Sequence, residues 1–238
     1  MNQAKELSKI ELASYLDHAV LTPDLSEEET KKAILNGVEN EVYSVRVKPC
    51  DLDLAFILTN HTLTKVSVVT DFPHGNSTLE MKKQQAIELC KYPVCDIDMV
   101  INYSHLTSGN YKAVEEEMQS IVDIVHPHNI VLKTILETDA LNKEQIIEAC
   151  KMASKCGVDF VKTSTGFYPG NKVGATLEVC KLMLDTVSNN TKVKGSGCVR
   201  EQKHLLDLID LGVKRVGCGC NSTDTLLNGL KSTTKSSY

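Results

Sequence analysis

The sequence of 238 residues contains no tryptophan, and aromatic residues make up only 5% of it. No apolar run approaches the roughly 20 residues that a membrane-spanning helix needs. The first residues, MNQAKELSKIEL, lack the apolar core of a secretory signal peptide. No Lys/Arg-rich run is present and the net charge is −5, which argues against nucleic-acid binding. These absences predict a cytoplasmic protein that binds neither membranes nor nucleic acid.

A clear ligand set for a metal ion is also missing. The nine cysteines are scattered, and the seven histidines show no HExxH spacing. Cys198, Cys218 and Cys220 could meet at one rim, but they lack a fourth ligand. Without a signal peptide, reduced thiols are expected rather than disulfides. We therefore expect no metal and no cofactor.

What the sequence does have is a regular alternation of strand-like runs and amphipathic helical stretches. In the helical stretch 26–38, Ser26 and Glu29 are placed to form a capping box. Alternation implies parallel strands with helical crossovers, and eight repeats predict an α/β fold, the (β/α)8 barrel. An open doubly wound sheet is the alternative, although no GxGxxG motif follows a strand. The predicted strands are 16–21, 43–47, 65–72, 94–101, 129–137, 160–166, 192–197 and 215–220.

The chain length suits one large domain. We expect a single barrel over residues 1–231. The remaining segment, STTKSSY at 232–238, is polar and built of small residues, so we expect a flexible tail.

Several predicted strands carry charged residues that an ordinary core would exclude. Asp96 and Asp98 are two apart and project to the same face. Lys133, Lys162 and Lys194 come from three successive strands, and the carboxyl ends of barrel strands face the site of chemistry. We therefore expect these side chains, together with Asp17, to converge.

Convergence would change the chemistry of a lysine. A free lysine has a pKa near 10.4, so it is protonated at neutral pH and cannot attack a carbonyl. A second ammonium group roughly 5 Å away costs about 3 kcal/mol at an effective dielectric of about 20, which is about 2.4 pKa units. Burial acts in the same direction. Two lysines and a carboxylate thus fit a Schiff-base site, although each lysine alone would better fit a structural ion pair or a side chain that reaches past a strand end to water.

Six segments resemble the signature segments of the deoxyribose-phosphate aldolase family, in the family's order and over nearly the whole chain. They are LDH at 16–18, FPHGN at 72–76, DIDMVIN at 96–102, LKTILET at 132–138, KTSTGF at 162–167 and KGSGCVR at 194–200. The resemblance implies a metal-independent class I aldolase that acts in deoxyribonucleoside and deoxyribonucleotide catabolism. It would cleave 2-deoxy-D-ribose 5-phosphate reversibly to acetaldehyde and D-glyceraldehyde 3-phosphate. By analogy with relatives we also expect a homodimer.

The resemblance also implies roles for single residues. Lys162 matches the Schiff-base lysine, and Lys194 matches the second lysine that lowers the pKa of the first. Asp98 matches the acid that moves protons through a water molecule. Tyr238 matches a carboxyl-terminal tyrosine that assists protonation at carbon. The expected substrate-binding residues are Asp17, Lys133, Thr165, Gly166, Gly197, Cys198, Gly217 and Gly219.

The sequence departs from the family pattern at three places. Cys198 stands in the second position of a usual Gly-Gly pair, and Gly219-Cys220 replaces a usual Ser-Ser pair. Because a thiol is a weak donor, we expect weaker phosphate binding and better tolerance of unphosphorylated aldehydes. Arg46 stands where many relatives have a cysteine facing the pocket. It could supply the missing anion contact or point away from the pocket.

Two other functions remain open at this point. One is a class I aldolase whose preferred donor or acceptor has changed. The other is a barrel that binds sugar phosphates without catalysis. The combination of Lys162, Lys194 and Asp98 counts against the second, because a binding protein has no use for an amine of low pKa.

Overall fold

Eight parallel strands form a closed barrel in the computed structural model, which describes residues 3–188 and 190–229. Each strand pairs with the next along the chain, and the eighth pairs with the first. This confirms the predicted (β/α)8 barrel and excludes the open doubly wound sheet. The strands are β1 Leu16–Val20, β2 Ser44–Val47, β3 Lys65–Thr70, β4 Asp96–Val100, β5 Val131–Ile135, β6 Phe160–Lys162, β7 Lys192–Ser196 and β8 Arg215–Gly219.

Helices surround the barrel. They are α1 Lys9–Ala13, α2 Glu27–Glu39, α3 Leu52–Thr59, α4 Leu79–Leu89, α5 Tyr103–Thr107, α6 Tyr111–Val125, α7 Lys143–Cys156, α8 Leu177–Thr186, α9 Gln202–Leu211 and α10 Thr223–Asn228. Ser26 and Glu29 form the predicted capping box at the start of α2. Within the described ranges, each helix is too short or too polar to cross a membrane.

The interior and exterior faces of the strands differ in chemistry. Outward residues such as Val45, Ile97 and Leu132 are fully buried in an apolar core beneath the helices. On β1, His18 also points outward, where its Nε2 donates to the Ala33 carbonyl at 2.8 Å. Because neighbouring residues on a strand face opposite sides, Asp17 points into the barrel. The inward face therefore carries the charged residues.

The sixth strand is shorter than its predicted range of 160–166. After Lys162, the Thr163 hydroxyl donates to the Ser196 carbonyl at 2.6 Å and accepts from the Ser196 N–H at 2.8 Å. A side chain thus replaces the regular ladder here, and Gly166 then turns the chain at φ 86°. Lys162 consequently lies at the carboxyl end of β6, facing the loops where barrel enzymes act.

Candidate active site

A buried cluster of charged side chains lies inside the barrel, and Asp98 is at its centre. The Asp98 Oδ2 atom is 2.9 Å from Lys162 Nζ and 2.8 Å from Lys194 Nζ. The same oxygen is 3.1 Å from Arg46 Nε, and Lys133 Nζ is 3.7 Å from Asp98 Oδ1. The three lysines converge, as their places on successive strands predict.

Two further carboxylates complete the cluster. Arg46 Nη2 donates to Asp17 Oδ2 at 3.1 Å and to Asp96 Oδ1 at 2.8 Å. Lys194 Nζ is 2.7 Å from Asp17 Oδ2, and Lys133 Nζ contacts Asp96 Oδ1. Four positive side chains thus meet three negative ones, each at most 3% exposed. Buried charges of this kind require partners, which the cluster supplies.

Strand register explains why residues so distant in sequence meet. Lys162 pairs with Lys194 across β6 and β7, and Asp98 pairs with Lys133 across β4 and β5. Paired residues of parallel strands stand at the same level and point to the same side of the sheet. In a closed barrel that side is the interior, so the side chains are directed at one another.

The lysines differ in how their surroundings affect them. Burial lowers the pKa of Lys162 and the Arg46 charge adds to the lowering, while Asp98 opposes it. Burial and then Arg46 lower the pKa of Lys194 to about 7, and Lys162 contributes less. Burial alone would lower the pKa of Lys133, but three carboxylates outweigh it and raise the pKa. The two lysines with predicted catalytic roles are those whose pKa is lowered.

The central carboxylate remains ionised. Burial alone would raise the pKa of Asp98, but Arg46, Lys162 and Lys194 hold it far below the usual range. The pKa of Asp17 is held low in the same way, against the effect of burial. At neutral pH both carboxyl groups are therefore ionised.

A cavity lies above the cluster, at the carboxyl ends of the later strands. Lys162 and Arg46 line it, whereas Asp98 and Lys194 are wholly buried. It is also lined by six of the eight predicted substrate-binding residues, namely Thr165, Gly166, Gly197, Cys198, Gly217 and Gly219. The other two, Asp17 and Lys133, lie in the charged cluster and are at most 1% exposed. Their position favours support of the cluster over direct contact with substrate.

Two residues on the rim of this cavity have distinctive backbone requirements. Cys198 has φ 58°, a left-handed conformation that favours glycine, and its thiol donates to the Lys172 carbonyl at 3.7 Å. A Cβ atom on Gly217 would lie 2.9 Å from Ser196 Oγ and 3.2 Å from Lys194 Cε. A side chain at position 217 would therefore crowd the lysine beside β8.

Sequence reasoning missed Glu137, which supports the loop after β6. Its carboxylate accepts a hydrogen bond from the Thr165 hydroxyl. The Thr165 N–H also donates to the two carboxylate oxygens, at 3.3 and 3.4 Å. Thr165 Oγ1 in turn accepts from the Phe167 N–H at 3.0 Å. Glu137 thus orients the chain next to Lys162. The signal was its place at the end of β5, within the segment LKTILET.

A larger cavity, of about 1070 Å³, lies beside the first, and Leu21 and Phe167 line both. Its wall is mainly apolar and includes Val69, Phe72 and Leu89. We place the chemistry at the smaller cavity, because buried ionisable groups with shifted pKa values mark functional sites.

The cysteines near the rim do not form a cluster. Cys218 is buried and lies against Thr223, with Sγ 3.4 Å from its hydroxyl oxygen, whereas Cys198 and Cys220 are partly exposed. In residues 3–188 and 190–229, no group of three or more His, Cys, Asp or Glu side chains could hold a metal ion. Tyr238 lies outside the described residues, so its role stays a prediction.

Buried lysines of lowered pKa, beneath a cavity at the carboxyl ends of the strands, are typical of a (β/α)8-barrel enzyme. A family model described as DeoC/LacD family aldolase matches residues 12–230. The chain belongs to this family of aldolases.

Curated relatives agree with this assignment. A deoxyribose-phosphate aldolase of Caldanaerobacter subterraneus subsp. tengcongensis is 42% identical over 90% of this chain and 91% of the relative. One of Thermoanaerobacter pseudethanolicus is 41% identical over 87% of this chain and 92% of the relative.

Solved structures are similar as well. QR15, an aldolase, has a TM-score of 0.83 and 33% identity, covering 92% of this chain and 95% of its own. A putative deoxyribose-phosphate aldolase from Coccidioides immitis has a TM-score of 0.85 and 27% identity, covering 93% of this chain and 86% of its own.

Proposed function

We propose that this protein is a deoxyribose-phosphate aldolase, which cleaves 2-deoxy-D-ribose 5-phosphate reversibly to acetaldehyde and D-glyceraldehyde 3-phosphate. One observation carries the proposal: the Lys162 amine is buried 2.9 Å from Asp98 with its pKa lowered. Only the unprotonated amine has the lone pair that attacks a carbonyl. The names of the relatives support the substrate.

The reaction starts when the Lys162 amine attacks the aldehyde carbon, C1, of the open-chain sugar. Loss of water gives an iminium, which withdraws electrons from the neighbouring bonds. Removal of the C3 hydroxyl proton then lets the C2–C3 bond break, and its electron pair passes into the iminium to form an enamine. Glyceraldehyde 3-phosphate leaves. Protonation of the enamine at C2, followed by hydrolysis, frees acetaldehyde and restores Lys162.

We assign the proton transfers to Asp98 and Lys194. Asp98 is ionised and can accept the C3 hydroxyl proton through a water molecule. Lys194 contacts the same oxygen and has a pKa of about 7, so it can exchange protons near neutral pH. Tyr238 is our candidate for protonating the enamine carbon. Asp17 and Lys133 hold the cluster in place.

The rim residues would bind the phosphate through backbone N–H groups, a common arrangement at the carboxyl ends of the later barrel strands. Gly166, Gly197 and Gly219 fit this role because their backbones border the cavity. Thr165 shapes the same wall, and its hydroxyl is held by Glu137.

We further propose a homodimer in the cytoplasm that serves deoxyribonucleotide catabolism, with the barrel domain formed by residues 1–231. The fold is a single barrel, and the reaction needs only a small sugar phosphate and aldehydes. Size measurement in solution, by light scattering on the purified chain, tests the dimer.

A turnover assay tests the activity. With 2-deoxy-D-ribose 5-phosphate as substrate, release of acetaldehyde should be rapid and unaffected by a chelator. Lys162→Met should lower turnover by at least about a thousandfold, because it removes the nucleophile. Lys181→Met is the matched control, since Lys181 is exposed and pairs only with Asp185 among the described residues. Equal turnover of the two variants would contradict the proposal.

The rim supports a second candidate, an aldolase with relaxed preference for the phosphate. Cys198 lines the cavity, and Cys220 follows Gly219, which also lines it; both thiols are partly exposed and are weak donors. A hydrogen bond to a charged group contributes about 1.5–3 kcal/mol. Cys220→Ser should therefore lower the KM for the phosphorylated sugar. Cys198→Gly should instead relieve backbone strain, because residue 198 has φ 58°. If Cys220→Ser leaves both that KM and the preference over plain deoxyribose unchanged, this candidate fails.

A further inference from the structure

Arg46 is a large charged residue with no part yet in the proposed reaction. It lies on β2, opposite Ala19 of β1 and Ser67 of β3, and is 1% exposed. Its side chain points into the barrel, which rules out the expectation that it points away. With Lys162, it lines the cavity above the cluster.

Arg46 and Lys162 contact the same carboxylate oxygen. Asp98 Oδ2 lies 3.1 Å from Arg46 Nε and 2.9 Å from Lys162 Nζ, so the two nitrogens are at most about 6 Å apart. Arg46 also donates to Asp17 and Asp96 through Nη2. One guanidinium is therefore hydrogen-bonded to two carboxylates of the cluster and forms an ion pair with the third. A planar fork with several donors suits this task better than an ammonium group.

The charges around Lys162 do not balance. The strands that face it contribute three carboxylates, three further positive side chains and, at the base, a partly exposed arginine that lies 3.9 Å from Asp17. These groups are Asp17 on β1, Arg46 on β2, Asp96 and Asp98 on β4, Lys133 on β5, Lys194 on β7 and Arg215 on β8. Arginine keeps its proton at any ordinary pH. With Arg46 charged, the three buried lysines together have only two unneutralised carboxylate charges left to pair with.

We propose that Arg46 is a positioning residue for the aldol reaction: it fixes Asp98 against Lys162 and supplies the permanent positive charge that forces a buried lysine to give up its proton. The inference rests on the proposed function, because it concerns the nucleophile of that reaction. It assigns to Arg46 an effect on the Lys162 pKa that sequence reasoning assigned to Lys194 and to burial. The Arg46 charge lowers the pKa of both Lys162 and Lys194, in agreement with this role.

Three variants separate the charge of Arg46 from its shape. Arg46→Gln and Arg46→Met both remove the charge. Gln keeps a polar group at the end of the side chain, whereas Met replaces it with an apolar chain. Arg46→Lys keeps a charge, because an amine there would face the same carboxylates that raise the pKa of Lys133. Circular dichroism and melting temperatures would establish that each variant is folded.

The measurement is the rate at which acetaldehyde and sodium cyanoborohydride attach an ethyl group to Lys162, followed by mass spectrometry over a range of pH. For the wild type, the rate should rise with pH as Lys162 loses its proton, and the midpoint of the rise gives the pKa of Lys162. Without the Arg46 charge the midpoint should move up by about one to two pH units, and the rate at pH 7 should fall about tenfold or more. Arg46→Lys should keep the midpoint within about half a unit of the wild type.

The outcomes distinguish the two proposals. A wild type that forms no adduct at any pH contradicts the proposed function. A wild type that forms the adduct, with Arg46→Gln and Arg46→Met at the same midpoint, overturns the inference about Arg46. So does an Arg46→Lys variant that shifts as far as Arg46→Gln, because charge would then not be the cause.

A measurement on the wild type covers the case in which the uncharged variants do not fold. Carbon NMR of labelled lysine side chains should show that Lys133, Lys162 and Lys194 together carry two positive charges at pH 7 instead of three. If all three remain protonated up to a pH of about 10, as ordinary lysines do, the inference is overturned.

Discussion

At the scale of single residues, Lys194 has space beside it because Gly217 has no side chain. A methyl group there would lie 3.2 Å from Lys194 Cε and 2.9 Å from Ser196 Oγ. Because both atoms belong to side chains of β7, the Ser196 hydroxyl must rotate and the Lys194 side chain must shift. A displacement of about 1 Å in an active site can reduce the rate about a hundredfold.

We therefore expect Gly217→Ala to lower kcat by about tenfold or more while the protein stays folded. The control is Gly195→Ala on β7, whose Cβ would meet the flexible end of Leu208 at 3.3 Å, on the helical side of the strand. That change should alter the melting temperature but not kcat. Steady-state kinetics and thermal melting measure both. An unchanged kcat in Gly217→Ala would show that Lys194 does not need this space.

At the residue scale, the sequence predicted which side chains converge but not all of their partners. Convergence of Lys133, Lys162 and Lys194 follows from their places on successive inward faces, so it could be predicted. The partners of Arg46 could not, because they depend on strand register and on the length of a side chain that crosses the barrel. Its hydrogen-bonded carboxylates lie 29 residues away in sequence at Asp17 and 50 residues away at Asp96.

At the scale of elements, His18 joins β1 to two helices outside the barrel. Its Nε2 donates to the Ala33 carbonyl on α2, and its Nδ1 accepts from the Thr223 hydroxyl on α10, both at 2.8 Å. Because a carbonyl can only accept, the neutral imidazole carries its proton on Nε2. Burial lowers the pKa of His18 to about 4 in spite of the Ala33 hydrogen bond.

A pH dependence of stability follows from this lowered pKa. Between the ordinary value of 6.5 and about 4, His18 binds a proton in the unfolded chain but not in the folded one. The free energy of unfolding should therefore fall as the pH drops through this interval, by about 3 kcal/mol in all from this residue. Urea unfolding at several pH values measures it. His18→Gln should show a smaller fall, and an identical pH dependence in both proteins would contradict the assignment.

Element positions followed from periodicity, but element ends did not. The predicted strand 160–166 ends at Lys162, because the Thr163 hydroxyl takes over the contacts to Ser196. Threonine favours strands in general, so sequence alone extends the strand through it. A side-chain hydrogen bond to a neighbouring strand decided the end, and it depends on the fold itself.

At the scale of the whole molecule, β1 and β8 close the barrel, so residues 16–219 include every strand and α10 completes the described helices at Asn228. The order of elements was enough to predict this architecture, because right-handed strand–helix–strand units have few ways to close. The oligomeric state depends on surface complementarity, which periodicity does not encode.

Deleting 232–238 should therefore leave the melting temperature unchanged, because the deletion starts after the last described helix. Turnover should fall by about a hundredfold, a typical contribution of a general acid, through loss of Tyr238. Tyr238→Phe should reproduce the loss in the full-length chain. An unfolded truncated chain would contradict the domain limit at residue 231, whereas unchanged turnover in both would contradict the role of the tyrosine.

The central claim is that Lys162 attacks a carbonyl as a neutral amine, and reductive trapping tests it most directly. The protein is incubated at pH 7 with acetaldehyde and sodium borohydride, digested, and mapped by mass spectrometry. We predict one ethyl group, located on Lys162, and no adduct at that level on the exposed Lys181 or in Lys162→Met. An unmodified Lys162, or labelling spread evenly over surface lysines, would contradict the account.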